Sequence, residues 1–275
     1  MTDHALPERQ LTTAGIMLAV LLALLPAVAV HIWFAGTAWT LGLLAGCTLA
    51  LALEALALRL RGRDAALRRQ DGSVLITAML LLLMLPTTLP WWQPAVAIII
   101  AVILGKQLFG GLGQNLFNPV AVGYLGLMTL FPASPTMQSS FLPSQGQTWI
   151  TATMVLAVLA GGLFLLHRRI IGWHIPVSML LTTTILFYGL SLPLNYSVMT
   201  LAALFIATDP TTSPGTRTGK LIYGCMVALV SAAMANWLSY PEAVACAILC
   251  GNAITPTLDQ TIRHNRNVWQ SREKR

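Results

Sequence analysis

Charge is the scarcest property of this chain. Only 9% of its 275 residues are Asp, Glu, Lys or Arg, against about a quarter in soluble domains. That shortage excludes an ordinary water-soluble domain. Cysteine is scarce as well: Cys47, Cys225, Cys246 and Cys250 all fall inside apolar runs. There they read as small buried side chains rather than as disulfides. Cys246 and Cys250 share a helix face, but no nearby His or carboxylate completes a metal site. The sequence has no cysteine cluster for iron–sulfur ligation and no dinucleotide fingerprint. No Ser–His–Asp set or paired carboxylates stand out, so hydrolase chemistry has no support. The polar N-terminal lead is mixed in charge and has no small-residue cleavage pattern after it, so it does not read as a cleavable signal.

What the chain has is apolar length. Hydrophobic residues make up 56% of it, and its mean hydropathy is +0.72. A membrane span takes about 20 mostly apolar residues, which leaves room for about eight to ten spans and no large soluble domain. Ten apolar segments can be read: 12–33, 39–58, 73–90, 94–109, 117–132, 149–166, 174–191, 198–209, 220–238 and 241–257. The expected fold is an all-α integral membrane protein, one polytopic domain over 1–275. Its first half is 1–132, its second half 149–257, and 258–275 is a basic cytoplasmic tail. Several segments are shorter than a full span and carry Gly and Pro, the pattern of broken helices at a binding site.

The 16 Lys and Arg residues set the orientation. None lies in the connections after the first, third, fifth, seventh or ninth segment. Cytoplasmic loops carry the excess of Lys and Arg, so both termini are expected on the cytoplasmic side of a bacterial inner membrane. Topology and anionic lipid headgroups therefore account for the net charge of +7 without nucleic acid. Trp33, Trp39, Trp91, Trp92, Trp149, Trp237 and Tyr240 mark the opposite face as headgroup-level anchors.

Five segments per half suggest two inverted halves. Pro86-Thr87-Thr88 follows the third segment and Pro210-Thr211-Thr212 the eighth, on opposite sides, as inversion requires. Two further echoes do not correspond in place: GKQLFG at 105–110 with GKLIYG at 219–224, and Asn115-x-x-Asn118-Pro119 with Asn252-x-x-Thr255-Pro256. They are assigned no role.

The chain is organised around 105–123, GKQLFGGLGQNLFNPVAVG. Its glycines permit positive φ, and Pro119 disfavours helix at Asn118. Freed backbone groups in a bilayer are tolerated only against protein or a polar cavity, so this stretch reads as a helix break lining something polar. A second break, 207–220, reads ATDPTTSPGTRTGK. It is either a polar inner loop with Asp209 capping the next helix, or an anion site served by Arg217, Lys220 and backbone N–H groups. Its spacing is wrong for a phosphate loop. Glu54, a carboxylate at membrane depth, is functional by default; the competing reading pairs it with Arg59 or Arg61. His31, His167 and His174 read as interfacial.

The first break closely resembles the signature of RnfD, the D subunit of the Rnf ion-translocating electron-transport complex, in a family related to the B subunit of the sodium-pumping NADH:quinone reductase. The resemblance continues in order through Asp71-Gly72-Ser73, Leu85-Pro86 with Trp91-Trp92, RIIGWHIP at 169–176, FIATDP at 205–210, GKLIYG at 219–224, Tyr240-Pro241, Asn252 and Pro256. It implies ten transmembrane helices, bound flavin, and electron transfer across the membrane within a complex of membrane and peripheral partner subunits that moves an ion. In that family FMN is esterified to the Thr of a [ST]-x-A-T tetrad in the loop after the fifth helix. Here that loop, 133–148, holds no such tetrad. Thr148 is the nearest residue, in a loose echo one residue too long, and is not assigned the role. Three readings follow: a subunit holding FMN or riboflavin non-covalently, a structural subunit of the same complex, or a transporter-like protein on the same scaffold. On the first, Gly111, Gly113, Asn115 and Asn118 contact the ring from one break, Thr208 and Asp209 from the other, and Lys106 or Lys220 holds a phosphate.

Overall fold

A computed structural model describes residues 12–62, 72–87, 89–111, 113–132, 148–192 and 194–273. They form nine helices: α1 (Thr13–Leu60), α2 (Ser73–Met84), α3 (Trp92–Val102), α4 (Pro119–Leu130), α5 (Thr148–His167), α6 (His174–Gly189), α7 (Tyr196–Leu201), α8 (Arg217–Met234) and α9 (Tyr240–Glu273). No strand occurs among the described residues.

The first two apolar segments are the two arms of α1. Between them, where a turn was expected, Gly36 takes φ 75° and ψ −165°, a region open in practice only to glycine. The His31 and Trp39 rings meet across this bend with centroids 4.3 Å apart. His31 is 5% exposed, and its Nε2 has no hydrogen-bond partner among the described residues. The first arm packs on α5, where Gly161 abuts the Ala23 carbonyl; the second packs on α2 and α3, where Gly46 abuts Leu82 and Ile98. Small residues at such crossings let helix backbones approach closely.

Two short helices, α2 and α7, are almost wholly buried. Ten of the twelve residues of α2 are buried, as are all but Tyr196 in α7. At about 1.5 Å per residue neither α-helical stretch by itself reaches across a bilayer, so the non-helical chain beside each must complete the crossing. Their ends therefore release backbone groups at depth, and these can be satisfied only inside protein. The longer helices supply that cover. On α1, Leu18, Leu22 and Leu25 share one exposed face, an arrangement suited to lipid rather than water. Trp33, Trp91 and Trp237 are each more than 80% exposed, as anchors require.

Two helices end in π turns. α3 continues through Ile103–Gln107, and α7 through Ala202–Ile206. In each, an N–H reaches back five residues: Leu108 to the Ile103 carbonyl and Ala207 to the Ala202 carbonyl, both at 2.8 Å. Such turns widen a helix locally and turn side chains away from their regular register. Both precede the glycine- and proline-rich breaks seen in the sequence.

At the C-terminus, α9 runs on as helix to Glu273, well past the expected segment end at 257. The polar residues beyond 257 extend a helix that the buried part has already nucleated, and each one added gains a backbone hydrogen bond.

Candidate functional site

The first break begins at Lys106. The π turn carries this side chain inward, where Nζ donates to Glu54 Oε1 at 2.6 Å and to Ser73 Oγ at 2.7 Å. Both charged side chains are buried. The competing reading, a pair of Glu54 with Arg59 or Arg61, is thus not the one formed: Arg61 donates instead to Gln107 Oε1 at 3.3 Å. Gly105 is required for this geometry, because a Cβ there would lie 2.8 Å from Pro119 Cα.

After Gln107 the chain turns through Gly110, Gly111 and Gly113, all at positive φ. Asn118 then caps α4. Its Oδ1 accepts from the N–H groups of Val120 at 2.9 Å and Ala121 at 3.4 Å, with Pro119 at the first helical position, where its missing N–H costs nothing. Its Nδ2 crosses to the second break, donating to the Ile206 carbonyl at 3.0 Å and towards Asp209 Oδ2 at 3.5 Å. Asn115 Nδ2 makes a similar crossing, to Thr211 Oγ1 at 3.2 Å. The two breaks are thus joined side chain to backbone and side chain to side chain.

The second break is a compact turn. Thr208 Oγ1 donates back to the Leu204 carbonyl at 2.7 Å. Asp209 Oδ1 accepts from the Thr211 N–H at 3.1 Å and its hydroxyl at 2.9 Å. Asp209 does not cap α8; Thr216 does, accepting from the Gly219 N–H at 3.2 Å. Asp259, on the α9 extension, in turn accepts from the Gly215 N–H at 2.7 Å and the Thr216 hydroxyl at 2.9 Å. Burial pushes the Asp259 carboxyl up, but those hydrogen bonds and the nearby Arg263 outweigh it and hold the group below its ordinary value.

Where the breaks meet, a cavity with about 100 Å³ of space open to a water-sized sphere lies among α1, α2, the α5–α6 turn and both breaks. Its walls include Ile16, Met17, Leu80, Ile171 and Phe205; its polar edge is Ser73, Lys106, Asn115, Asn118, Thr208, Asp209 and Thr211. Five of the expected site residues therefore converge: Lys106, Asn115, Asn118, Thr208 and Asp209. Gly111 and Gly113 shape the turn behind them without lining the cavity. Lys220 stands apart in the first turn of α8, near Gly172. The loop at 133–147 lies outside the described residues, as does the Thr148 side chain.

Sequence reasoning missed the partners that fix the site. Glu54 stood out as a charge at depth, but nothing local pointed from it to Lys106, fifty-two residues on. Asn252 was visible as an echo of Asn115, an echo to which no role was assigned. It is 1% exposed and accepts the Asn118 N–H at 2.9 Å, so the echo marks a contact between the two motifs.

Chemically, the cavity suits a flat, apolar ligand with hydrogen-bonding edges. It offers amide and hydroxyl groups along one side and hydrocarbon on the others. It does not offer a free phosphate anchor, since two of the three Lys106 donors are already engaged by Glu54 and Ser73.

An all-helical bundle with broken central helices and exposed apolar faces fits a polytopic membrane protein. Comparison with known proteins places it further. The profile of the NQR2, RnfD, RnfE family matches residues 3–267, and the chain belongs to that family. It is similar to the D subunit of the ion-translocating oxidoreductase complex of Ectopseudomonas mendocina, with 34% identity covering 91% of this chain and 90% of the relative. The corresponding D subunits of Escherichia coli O139:H28, at 31% identity over 93% and 94%, and of Sodalis glossinidius, at 32% over 90% and 92%, are similar too.

Proposed function

We propose that the chain is the membrane-embedded D subunit of an Rnf-type ion-translocating oxidoreductase complex, and that it carries a flavin non-covalently in the cavity between the two breaks. It spans the bacterial inner membrane ten times, with both termini cytoplasmic, as two five-span halves of opposite orientation. The two arms of α1 supply the first two spans. The buried short helices α2 and α7 are the third members of their halves, which supports the inverted arrangement.

The observation that carries the flavin reading is the convergence of Asn115 and Asn118 with Thr208, Asp209 and Thr211 on one edge of a largely apolar slot. A bound flavin supplies an electron carrier that accepts one or two electrons. The chain's own contribution is to bind, orient and exclude water. Asn118, whose amide is engaged by Val120, Ala121, Ile206 and Asp209, shapes the edge of the slot, while Asn115 Oδ1 and the remaining lone pairs of the Thr208 and Thr211 hydroxyls are the acceptors left for the ring edge. Phe205, Leu80 and Ile171 cover the faces. With Lys106 neutralised by Glu54 and Lys220 outside the slot, the ligand favoured is riboflavin rather than FMN. Electron donor and acceptor sites belong to partner subunits, because the chain has no cysteine cluster or dinucleotide motif to supply them.

The sequence of the 133–148 loop, without the threonine tetrad, favours a second reading: a structural subunit whose complex routes electrons elsewhere. The purified complex separates the two. Acid precipitation of the isolated subunit is expected to release its flavin into the supernatant, where chromatography identifies riboflavin. Flavin carried down with the protein would point to a covalent link. Absence of flavin from both fractions would leave the structural reading.

A further inference from the structure

Asn252 belongs to neither break, yet it is bonded to both. Its Oδ1 accepts the backbone N–H of Asn118 at 2.9 Å. Its Nδ2 donates to the Thr212 carbonyl at 3.1 Å and to the Tyr223 hydroxyl oxygen at 3.0 Å. Asn118 reaches on to Ile206 and Asp209, and the Asp209 carbonyl accepts the Thr212 N–H at 3.2 Å. The contacts close a ring: Asn252, Asn118, Asp209, Thr212 and back to Asn252.

The chemistry of this position is demanding. It must accept one bond and donate two, which a primary amide does and a carboxylate or aliphatic side chain of the same size does not. Asn252 is almost fully buried, so no solvent replaces a partner it loses. Asn118 and Asp209 line the cavity, whereas Asn252, Thr212 and Tyr223 do not. Whatever Asn252 does for a ligand, it does through the two breaks.

We propose that Asn252 is a positioning residue: from α9 it sets the separation of the two breaks, and with it the width of the slot. Its consequence for flavin rests on the reading above; the spacing of the breaks does not.

The test has two independent readouts on the complex purified from membranes, in Asn252→Ala and Asn252→Asp. The first is the yield of a short bifunctional cross-link between Cys residues introduced as Asn115→Cys and Thr211→Cys, whose native side chains touch at 3.2 Å. The second, without those cysteines, is flavin content together with the midpoint potential of the flavin that remains. Asn252→Ala is expected to lose the cross-link and to weaken flavin retention about tenfold, the scale of one lost buried hydrogen bond. Asn252→Asp keeps the acceptor for Asn118 but sets a buried carboxylate against the Thr212 carbonyl, so it is expected to lose the cross-link as well and to shift the potential. Being isosteric, it carries the test if the alanine variant fails to assemble. Full cross-link yield in these variants overturns the proposal, whatever the flavin does. Loss of the cross-link in a complex that never held flavin in this subunit leaves the positioning role intact and removes the flavin reading instead.

Discussion

Lys106 Nζ lies 2.6 Å from Glu54 Oε1, with both side chains withdrawn from solvent and from the lipid-facing surface. The pair joins α1 to the π turn after α3, and Ser73 ties it to the first turn of α2. Three elements of the first half are thereby fixed at the edge of the cavity. Glu54 Oε2 has no partner among the described residues, so the pair holds geometry at some cost in desolvation.

Breaking that pair from one side should be costly. Glu54→Leu or Lys106→Met leaves an unpaired buried charge, a loss of about 3–5 kcal/mol. The double variant removes both charges and is expected to recover most of it. Thermal unfolding of the detergent-purified complex, read as a double-mutant cycle, measures the coupling. Additive single losses would show that the two groups do not depend on each other.

Gly105→Ala tests the π turn. Its Cβ would meet Pro119 Cα at 2.8 Å and Val122 Cβ at 3.3 Å, and backbone cannot swing aside as a side-chain end can. Overpacking of this kind costs about 1–3 kcal/mol. The expected outcome is a lower unfolding temperature together with reduced flavin retention. Gly42→Ala, where a Cβ meets nothing within 4 Å, is the control and should change neither.

Asp259 gives a pH dependence with a definite sign. Its carboxyl lies below the ordinary value in the folded chain, so its contribution is present above the unfolded pKa of about 3.9 and fades as pH falls through the folded value. Acidification should therefore loosen the contact between Gly215–Thr216 and α9, read as rising protease cleavage of the 209–216 turn. The substitution Asp259→Asn should flatten that acid dependence while raising cleavage at neutral pH. An unchanged acid profile would assign the dependence to other groups.

Orientation is open to direct labelling. Single cysteines placed in 133–147 are expected to react with an impermeant maleimide in intact cells, and those in 63–70 only after permeabilisation. The reverse pattern would invert the proposed topology.

Much of this architecture was legible because its causes are local. Apolar length and the Gly-Pro punctuation around 105–123 and 207–220 mark helices and breaks residue by residue. What was not legible depends on side chains meeting across long stretches of sequence. Asp209 looked like a cap because it precedes a helix, but the cap is Thr216, seven residues later, and Asp209 turns back on Thr211. The place of His31 near a segment end did not show that it is buried. The bend at Gly36 folds Trp39 over it. The π turns were hidden because a single added residue in a helical turn leaves no residue-type signature in the sequence. Lys106 looked like a free cation, and only the packing of α1 against α2 shows that its charge is already matched.

On the proposed reading, the two breaks close around a flavin that Asn115 and Asn118 hold without a covalent anchor. The most direct measurement is the flavin content of Asn115→Leu and Asn118→Leu subunits that still assemble into the complex, each normalised to protein. Selective loss of the acid-releasable flavin in both, with assembly intact, is the result expected. Undiminished flavin in both would contradict that reading and return the two asparagines to the role of satisfying the backbone at the helix breaks.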